Sequence, residues 1–437
     1  MKRSTGLHDL SLTMATRIVS VLTVMGSQIC LAWLLQPSGR GSYAACILFA
    51  STLSTVCAVG GEFTATYFVS SKRMSHSEGI TYSIIYTGIS AAIAILVGVL
   101  LMQLPLAFLD KGARSDFYLA LATIPINLFS MTFVGLFTAI RQFRYFALLN
   151  VFGTVLSLTL TLVFVWALDW GVTGAIGAVC LAGFLTTVAA LLVHVRTFDV
   201  RLVRPRVDLL GQMFNYGVRF YFGRVSYFLN YQLGMIILAF YSTRAELGLV
   251  AVASQLTVQS MQIPTILNKV LVPRTSEGDD GRKDLVAQCA RLSGLIVGVL
   301  LLGLVLFATP LVSLLFSPKF LPAVPLIQVM AIGFTIRATA RVLVPYLLGT
   351  DHPGVASMGA AIGMVVNLLL LWVLLPRIGV MAIAVGLTVG YMASSLFLSI
   401  QFCRLSGLSA GAVWRPRKAD LDAVMNLLRG LIQRRAA

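Results

Sequence analysis

Residues 17–62 read RIVSVLTVMGSQICLAWLLQPSGRGSYAACILFASTLSTVCAVGGE, and residues 224–269 read RVSYFLNYQLGMIILAFYSTRAELGLVAVASQLTVQSMQIPTILNK. In the first stretch Arg17 is followed 24 residues later by Gly41 and 21 further on by Glu62; Arg224, Gly248 and Lys269 repeat both spacings at an offset of 207. The ions stand inside long apolar sequence. An ionised side chain at membrane depth is costly and marks function by default. A charge pattern written twice points to a fold built twice around a charged centre.

A second landmark supports the same offset. Trp166 and Gly171-Val172-Thr173-Gly174-Ala175-Ile176 have counterparts in Trp372 and Gly379-Val380-Met381-Ala382-Ile383-Ala384, displaced by 206 and 208. The seam falls near Arg206 to Asp208. The expected division is therefore an N-terminal half, 1–207, a C-terminal half, 208–404, and a tail, 405–437.

Composition sets the class. The 437 residues are 58% hydrophobic and only 11% charged, with a mean hydropathy of +0.90, whereas soluble domains carry about a quarter charged residues. This is an all-α polytopic membrane protein, since lipid-exposed strands would need short alternating segments and barrel closure. A spanning helix needs roughly 20 apolar residues. Twelve segments of that kind are expected, at 10–35, 43–70, 79–104, 115–139, 146–168, 172–194, 211–241, 246–272, 289–315, 322–348, 355–375 and 379–403. Six fall in each half, so both halves enter from the same side and the repeat is parallel. The apolar run after Met1-Lys2-Arg3 is too long for a signal h-region, and the first helix is expected to stay in the protein.

The net charge of +17 reflects topology rather than a nucleic-acid partner. Lys72, Arg73, Arg141, Arg144, Arg196, Arg201, Arg204, Arg206, Arg274, Arg282, Lys283, Arg415, Arg417 and Lys418 all fall on one side once the N-terminus is placed inside. That is the positive-inside bias, with both termini cytoplasmic. Loops are short, which leaves no room for a soluble catalytic domain, and no catalytic residue, cofactor or metal site is expected. The six cysteines stand in apolar segments without metal or redox spacing and read as packing residues. His8, His76, His194 and His352 fall at cytoplasmic edges and read as interfacial. In the tail, Leu421, Val424, Met425, Leu428, Leu431 and Ile432 recur at helical spacing opposite Arg429, Arg434 and Arg435. That amphipathic helix suits either an anionic leaflet or packing against cytoplasmic loops.

Six cations remain within apolar segments: Arg17, Arg219, Arg224, Lys269, Arg337 and Arg341. Gln255, Gln259, Gln262 and Lys269 lie at i, i+4, i+7 and i+14, within an arc of about 80° on one helix. Tyr227 and Tyr231 accompany Arg224, and Arg337 and Arg341 are four apart. Arg17 and Glu62 each fall roughly 10 Å inside the cytoplasmic boundary at 1.5 Å per residue, so they could pair, either as a structural pin or in ion coupling. Long basic side chains can also snorkel to the headgroups from this depth. A surplus of cations over one carboxylate suits a phosphate-bearing substrate, because guanidinium forks bind phosphate oxygens bidentately, and the tyrosines suit sugar rings. Pro264 and Pro345 should bend their helices. The glycine-rich stretches 171–177 and 354–363 should permit close helix contact.

The first helix with its inward Arg17, the outer turn Leu35-Gln36-Pro37-Ser38-Gly39-Arg40-Gly41-Ser42-Tyr43-Ala44 and the Gly-Val-x-Gly-Ala-Ile entry to the sixth segment resemble a known group. It is the polysaccharide transporter branch, the Wzx-like proteins, of the multidrug/oligosaccharidyl-lipid/polysaccharide flippase superfamily. The turn departs from the branch's commoner Leu-Gly-Pro-Glu-x-Tyr-Gly form. The resemblance implies two six-helix bundles around a V-shaped central cavity that opens alternately to each side. It implies flipping of an undecaprenyl-pyrophosphate-linked oligosaccharide across the bacterial cytoplasmic (inner) membrane, for surface polysaccharide or O-antigen assembly. Polysaccharide polymerase and co-polymerase proteins would be partners. Arg17, Arg224, Lys269, Arg337 and Arg341 become substrate contacts, with Glu62 an ion-coupling or ion-pairing group. A multidrug and toxin exporter of the superfamily would bind cationic drugs and use membrane-embedded acids, against the charge seen here. A lipid II flippase has a cationic cavity but usually fourteen helices, and an O-antigen polymerase or ligase would be an enzyme with a large outer loop.

Overall fold

The computed structural model describes residues 3–58, 61–205, 207–265, 267–268, 282–350 and 352–415. Within them the side chains of some helical residues, Arg17, Glu62, Arg219, Arg224 and Tyr227 included, lie outside the description, as do Lys269, most of the polar 273–288 loop and the tail helix over 421–432. Every described element is helical. Nine helices among the described residues are long and apolar enough to cross a membrane.

The elements run α1 Arg3–Cys57, α2 Gly61–Ser70, α3 His76–Met102, α4 Arg114–Ala139, α5 Phe143–Thr161, α6 Gly171–Phe198, α7 Val207–Tyr241 and α8 Arg244–Val258. There follow α9 Arg282–Leu306, α10 Ala308–Phe316, α11 Val324–Arg341, α12 Val344–Gly349, α13 Pro353–Ile378, α14 Met381–Ser406 and α15 Ala410–Trp414. They form two compact units, one of residues 1–228 with 239–248 and one of 229–238 with 249–437.

The interruptions have local causes. The expected outer turn over residues 35–44 shrinks to one residue: Gln36 takes φ 58° and ψ 175°, and Pro37 restarts the helix with its φ already set. The expected second segment is shared between two helices, α1 ending at Cys57 and α2 starting at Gly61. Ahead of Pro264 the backbone tightens into a 3₁₀ turn at Gln259–Met261, and ahead of Pro345 helix α11 stops at Arg341 and α12 starts at Val344. Each proline withdraws a donor and crowds the preceding turn, which accounts for the departure from α-helix ahead of it. Helix α3 starts on a capping box, in which Ser75 Oγ accepts from the Glu78 N–H and Glu78 accepts from the Ser75 N–H at 2.8 Å.

The duplicated glycines share a positive φ, while Trp166 stands in a π-helical turn and Trp372 in an α-helix. Gly171 and Gly379 have φ of +54° and +56°, a left-handed state that admits glycine at little cost. Trp166 and Trp372 are 71% and 81% exposed, as suits ring anchors at a lipid interface. The first unit's core gathers Phe68, Met74, Tyr82, Phe133 and Phe137; that of the second gathers Val286, Tyr346, Leu347, Phe402 and Val413. Close helix contact holds at Gly174, whose added Cβ would stand 3.0 Å from the Phe164 carbonyl oxygen, and at Gly359, 2.8 Å from Leu398. It fails at Gly354, which faces open space. The last helix extends to Ser406, and α15 packs on the second unit: Arg291 donates to the Ala412 carbonyl, and Trp414 Nε1 to Ser399 Oγ at 3.2 Å.

Candidate functional site

In the second unit α11 carries Arg337 and Arg341, one turn apart and therefore on one face. The Arg337 guanidinium carbon lies 4.2 Å from the centroid of the Tyr391 ring, close enough for a cation–π contact worth about 2 kcal/mol when desolvated. Tyr391 is 2% exposed and is held edge-on by Phe334 at 5.4 Å. This platform holds the guanidinium by its face. Asn268 Nδ2 donates to the Arg341 carbonyl at 3.2 Å, so the residue next to Lys269 is tied to the helix that carries both arginines. Gln255, Gln259 and Gln262 are all half-buried, as is Tyr231. The stripe keeps its exposure across the 3₁₀ turn.

Arg17, Glu62 and Arg224 are carried by α1, α2 and α7 in the first unit. Near them, the Tyr221 hydroxyl donates to the Val56 carbonyl at 2.8 Å. Val56 sits in the last turn of α1, where the break before α2 frees carbonyl groups from helical bonding. One bond thus joins the helix of Arg224 to the end of the helix that precedes Glu62.

The duplicated glycines meet each other. A Cβ built on Gly41 would overlap the carbonyl oxygen of Arg244 and stand 3.1 Å from the Gly248 nitrogen; one built on Gly248 would overlap the carbonyl oxygen of Pro37 and stand 3.1 Å from the Gly41 nitrogen. The contact is reciprocal, each glycine standing against the other's backbone and against the carbonyl four residues before it. Around it, within the same unit, Arg244 donates to the Asp110 carbonyl at 2.7 and 3.2 Å, Lys111 donates to the Ser242 carbonyl, and Phe108 meets Phe240 at 5.7 Å.

Two features of the first unit were not visible in the sequence. Arg40, placed by its neighbours in an outer turn, is helical and 5% exposed. Its Nη2 donates to Gln28 Oε1 and its guanidinium lies 5.1 Å from the Tyr43 ring centroid, while Nε and Nη1 have no partner. Gln28 and Tyr43 in turn line a cavity of about 470 Å³ with Ser27, Asn127, Ser130 and Asn150. The second feature is a pairing of two of the histidines. His194 is fully buried; its Nδ1 meets His76 Nε2 at 2.9 Å, its Nε2 meets the Phe133 carbonyl at 2.9 Å, and its ring stacks on Phe137 at 3.9 Å. The connector after α6 lies over the same helices, with the Val203 N–H donating to Thr81 Oγ1 at 3.1 Å. His352, by contrast, is exposed.

Known proteins place the chain. The family described as "Polysaccharide biosynthesis protein" matches residues 30–325. An uncharacterized membrane protein of Methanocaldococcus jannaschii is 26% identical over 203 residues, a match that spans 43% of this chain and 38% of that protein. Among solved structures, the lipid II flippase MurJ in an inward closed conformation superposes with a TM-score of 0.69 at 12% identity, covering 89% of this chain and 87% of its own. A MATE transporter of Vibrio cholerae superposes at 0.61 with 16% identity, covering 92% and 98%. A Pyrococcus furiosus transporter of the MOP superfamily, described as having a binding pocket of reverse polarity, superposes at 0.62 with 14% identity, covering 91% and 94%. These likenesses show the fold.

Proposed function

This chain belongs to the polysaccharide biosynthesis protein family, and on that premise we propose that it flips a lipid-linked oligosaccharide across the bacterial cytoplasmic membrane. The cargo is an oligosaccharide on undecaprenyl pyrophosphate, moved by alternating access for surface polysaccharide or O-antigen assembly. No covalent step is involved. The observation that carries the reading is the cationic face of α11, where Arg337 rests on a buried aromatic ring one turn from Arg341. Two guanidinium groups on one face of an apolar helix are residue types that bind phosphate oxygens through paired N–H donors.

In this proposal Arg17, Arg224, Lys269, Arg337 and Arg341 hold the pyrophosphate in turn as the site is exposed to each side. Gln255, Gln259, Gln262, Tyr227 and Tyr231 contact the sugars, and the prenyl chain stays in lipid. Glu62 either pairs with Arg17 or couples an ion. An exporter of cationic drugs would need acids where these arginines stand.

The test is an Arg337→Ala, Arg341→Ala double variant in the native host. Surface polysaccharide should fall while the protein stays in the membrane at its normal level, and prenyl-pyrophosphate oligosaccharide should accumulate on the inner leaflet. Full polysaccharide output from the double variant would overturn the pyrophosphate assignment.

A further inference from the structure

We propose that the cavity in the first unit is an anion-binding site whose charge is supplied by Arg40, acting through Gln28 and Tyr43. A buried guanidinium without a carboxylate is expensive, since desolvation of an ion is repaid only by a counter-charge and full hydrogen bonding. Arg40 makes no ion pair among the described residues, and two of its nitrogens are buried without an acceptor. Its partners among the described residues, Gln28 and Tyr43, are both cavity wall.

The wall is thereby turned into a donor surface. Gln28 spends its carboxamide oxygen on Arg40, which leaves its NH₂ group as the one to offer. A cation over the Tyr43 ring withdraws electron density from it and makes its hydroxyl a stronger donor. Ser27, Ser130 and Asn127 add groups that can donate, and none of the lining residues is acidic or basic. A cation would meet the field of Arg40 with no carboxylate to offset it. A compact anion that accepts several hydrogen bonds, a halide or a phosphate group, supplies the missing counter-charge. The site is separate from the arginines of α11 and does not depend on what cargo they hold.

The experiment is thermal unfolding of the purified full chain in zwitterionic detergent. Sodium chloride and sodium phosphate are titrated against sodium gluconate at constant ionic strength, and a parallel series adds phosphatidylglycerol against phosphatidylcholine. Wild type should be stabilised saturably by at least one of the anions. Arg40→Gln should weaken that response by tenfold to hundredfold, on the order expected for one charge at short range in a partly screened interior. Arg40→Lys should retain most of it. Stabilisation by the free salts identifies an inorganic ion, and stabilisation by phosphatidylglycerol alone identifies a lipid headgroup phosphate; both support the site. If Arg40→Gln cannot be recovered folded, Tyr43→Phe and Gln28→Met, which keep the packing, should each weaken the response severalfold. No dependence of wild type on any of the three anions, or an unchanged dependence in these variants, overturns the proposal and leaves a water-filled polar cavity.

Discussion

Replacing Gly41 with alanine should destabilise the protein, although the same change elsewhere in its helices should stabilise it. At an open helical position glycine to alanine gains up to about 1 kcal/mol, because glycine loses more backbone freedom on folding. Gly88 in α3 and Gly303 in α9 are such positions, with nothing within 4 Å of an added Cβ. At Gly41 the Cβ lands on the Arg244 carbonyl oxygen and 3.1 Å from the Gly248 nitrogen. Both neighbours are backbone, so no side chain can rotate away and the two helices must part. Overpacking of that kind costs about 1–3 kcal/mol, and backbone on both sides puts this case at the upper end. After the propensity gain, a net loss of about 2 kcal/mol remains for Gly41→Ala, against a gain of up to about 1 for Gly88→Ala. Gly248→Ala should match Gly41→Ala. The double variant should cost less than the sum, because once the helices have parted the second methyl has room. Unfolding of purified protein in one detergent reads all four variants. A Gly41→Ala protein as stable as Gly88→Ala would refute the contact, and so would strict additivity of the pair.

Other consequences follow from single contacts. His194→Leu removes the partner of the Phe133 carbonyl and of His76; a buried group left without its bond costs about 1–3 kcal/mol. The unfolding midpoint should fall and the connector 199–206 should become easier to cleave with protease, whereas an unchanged midpoint and cleavage pattern would contradict the pairing. Tyr391→Phe keeps a ring under Arg337 and should support normal surface polysaccharide. Tyr391→Leu removes it, loses about 1–2 kcal/mol of cation–π attraction, and should lower polysaccharide output at normal protein level; equal output from the two would separate Tyr391 from function. Gly386→Ala places a methyl 2.6 Å from Asn367 Oδ1 and should lower the unfolding midpoint by pushing α13 from α14, whereas Gly211→Ala, in open space, should not.

The parts of the fold legible in the sequence are those set by local pattern. Lipid-length apolar runs specify helices because the backbone must satisfy itself in hydrocarbon, and Pro264 and Pro345 mark where the α-helical run is interrupted. The repeat of Gly41 at Gly248 was also readable, but its meaning was not: the two glycines form a mutual contact, and nothing in a linear spacing says which distant residues touch. Arg40 was missed for a related reason. Around Arg40, Pro37, Ser38, Gly39 and Gly41 favour a turn, yet with the break confined to Gln36 the stretch is a helix that buries the guanidinium against Gln28. His76 and His194 stand at helix ends in the sequence, yet 118 residues apart they meet in one hydrogen bond, with His194 buried and His76 half-buried. Of the cationic site, the i, i+4 spacing of Arg337 and Arg341 was visible, while the Tyr391 platform rests on packing between α11 and α14.

The central claim is that this chain carries a lipid-linked oligosaccharide through the membrane, and reconstitution tests it most directly. Purified protein in liposomes loaded on one leaflet with prenyl-pyrophosphate oligosaccharide should bring the sugar to the opposite leaflet, measured by its capture with an impermeant lectin. The rate should collapse in the Arg337→Ala, Arg341→Ala variant. Transfer no faster than in protein-free liposomes, from protein shown to be folded and inserted, would contradict the account.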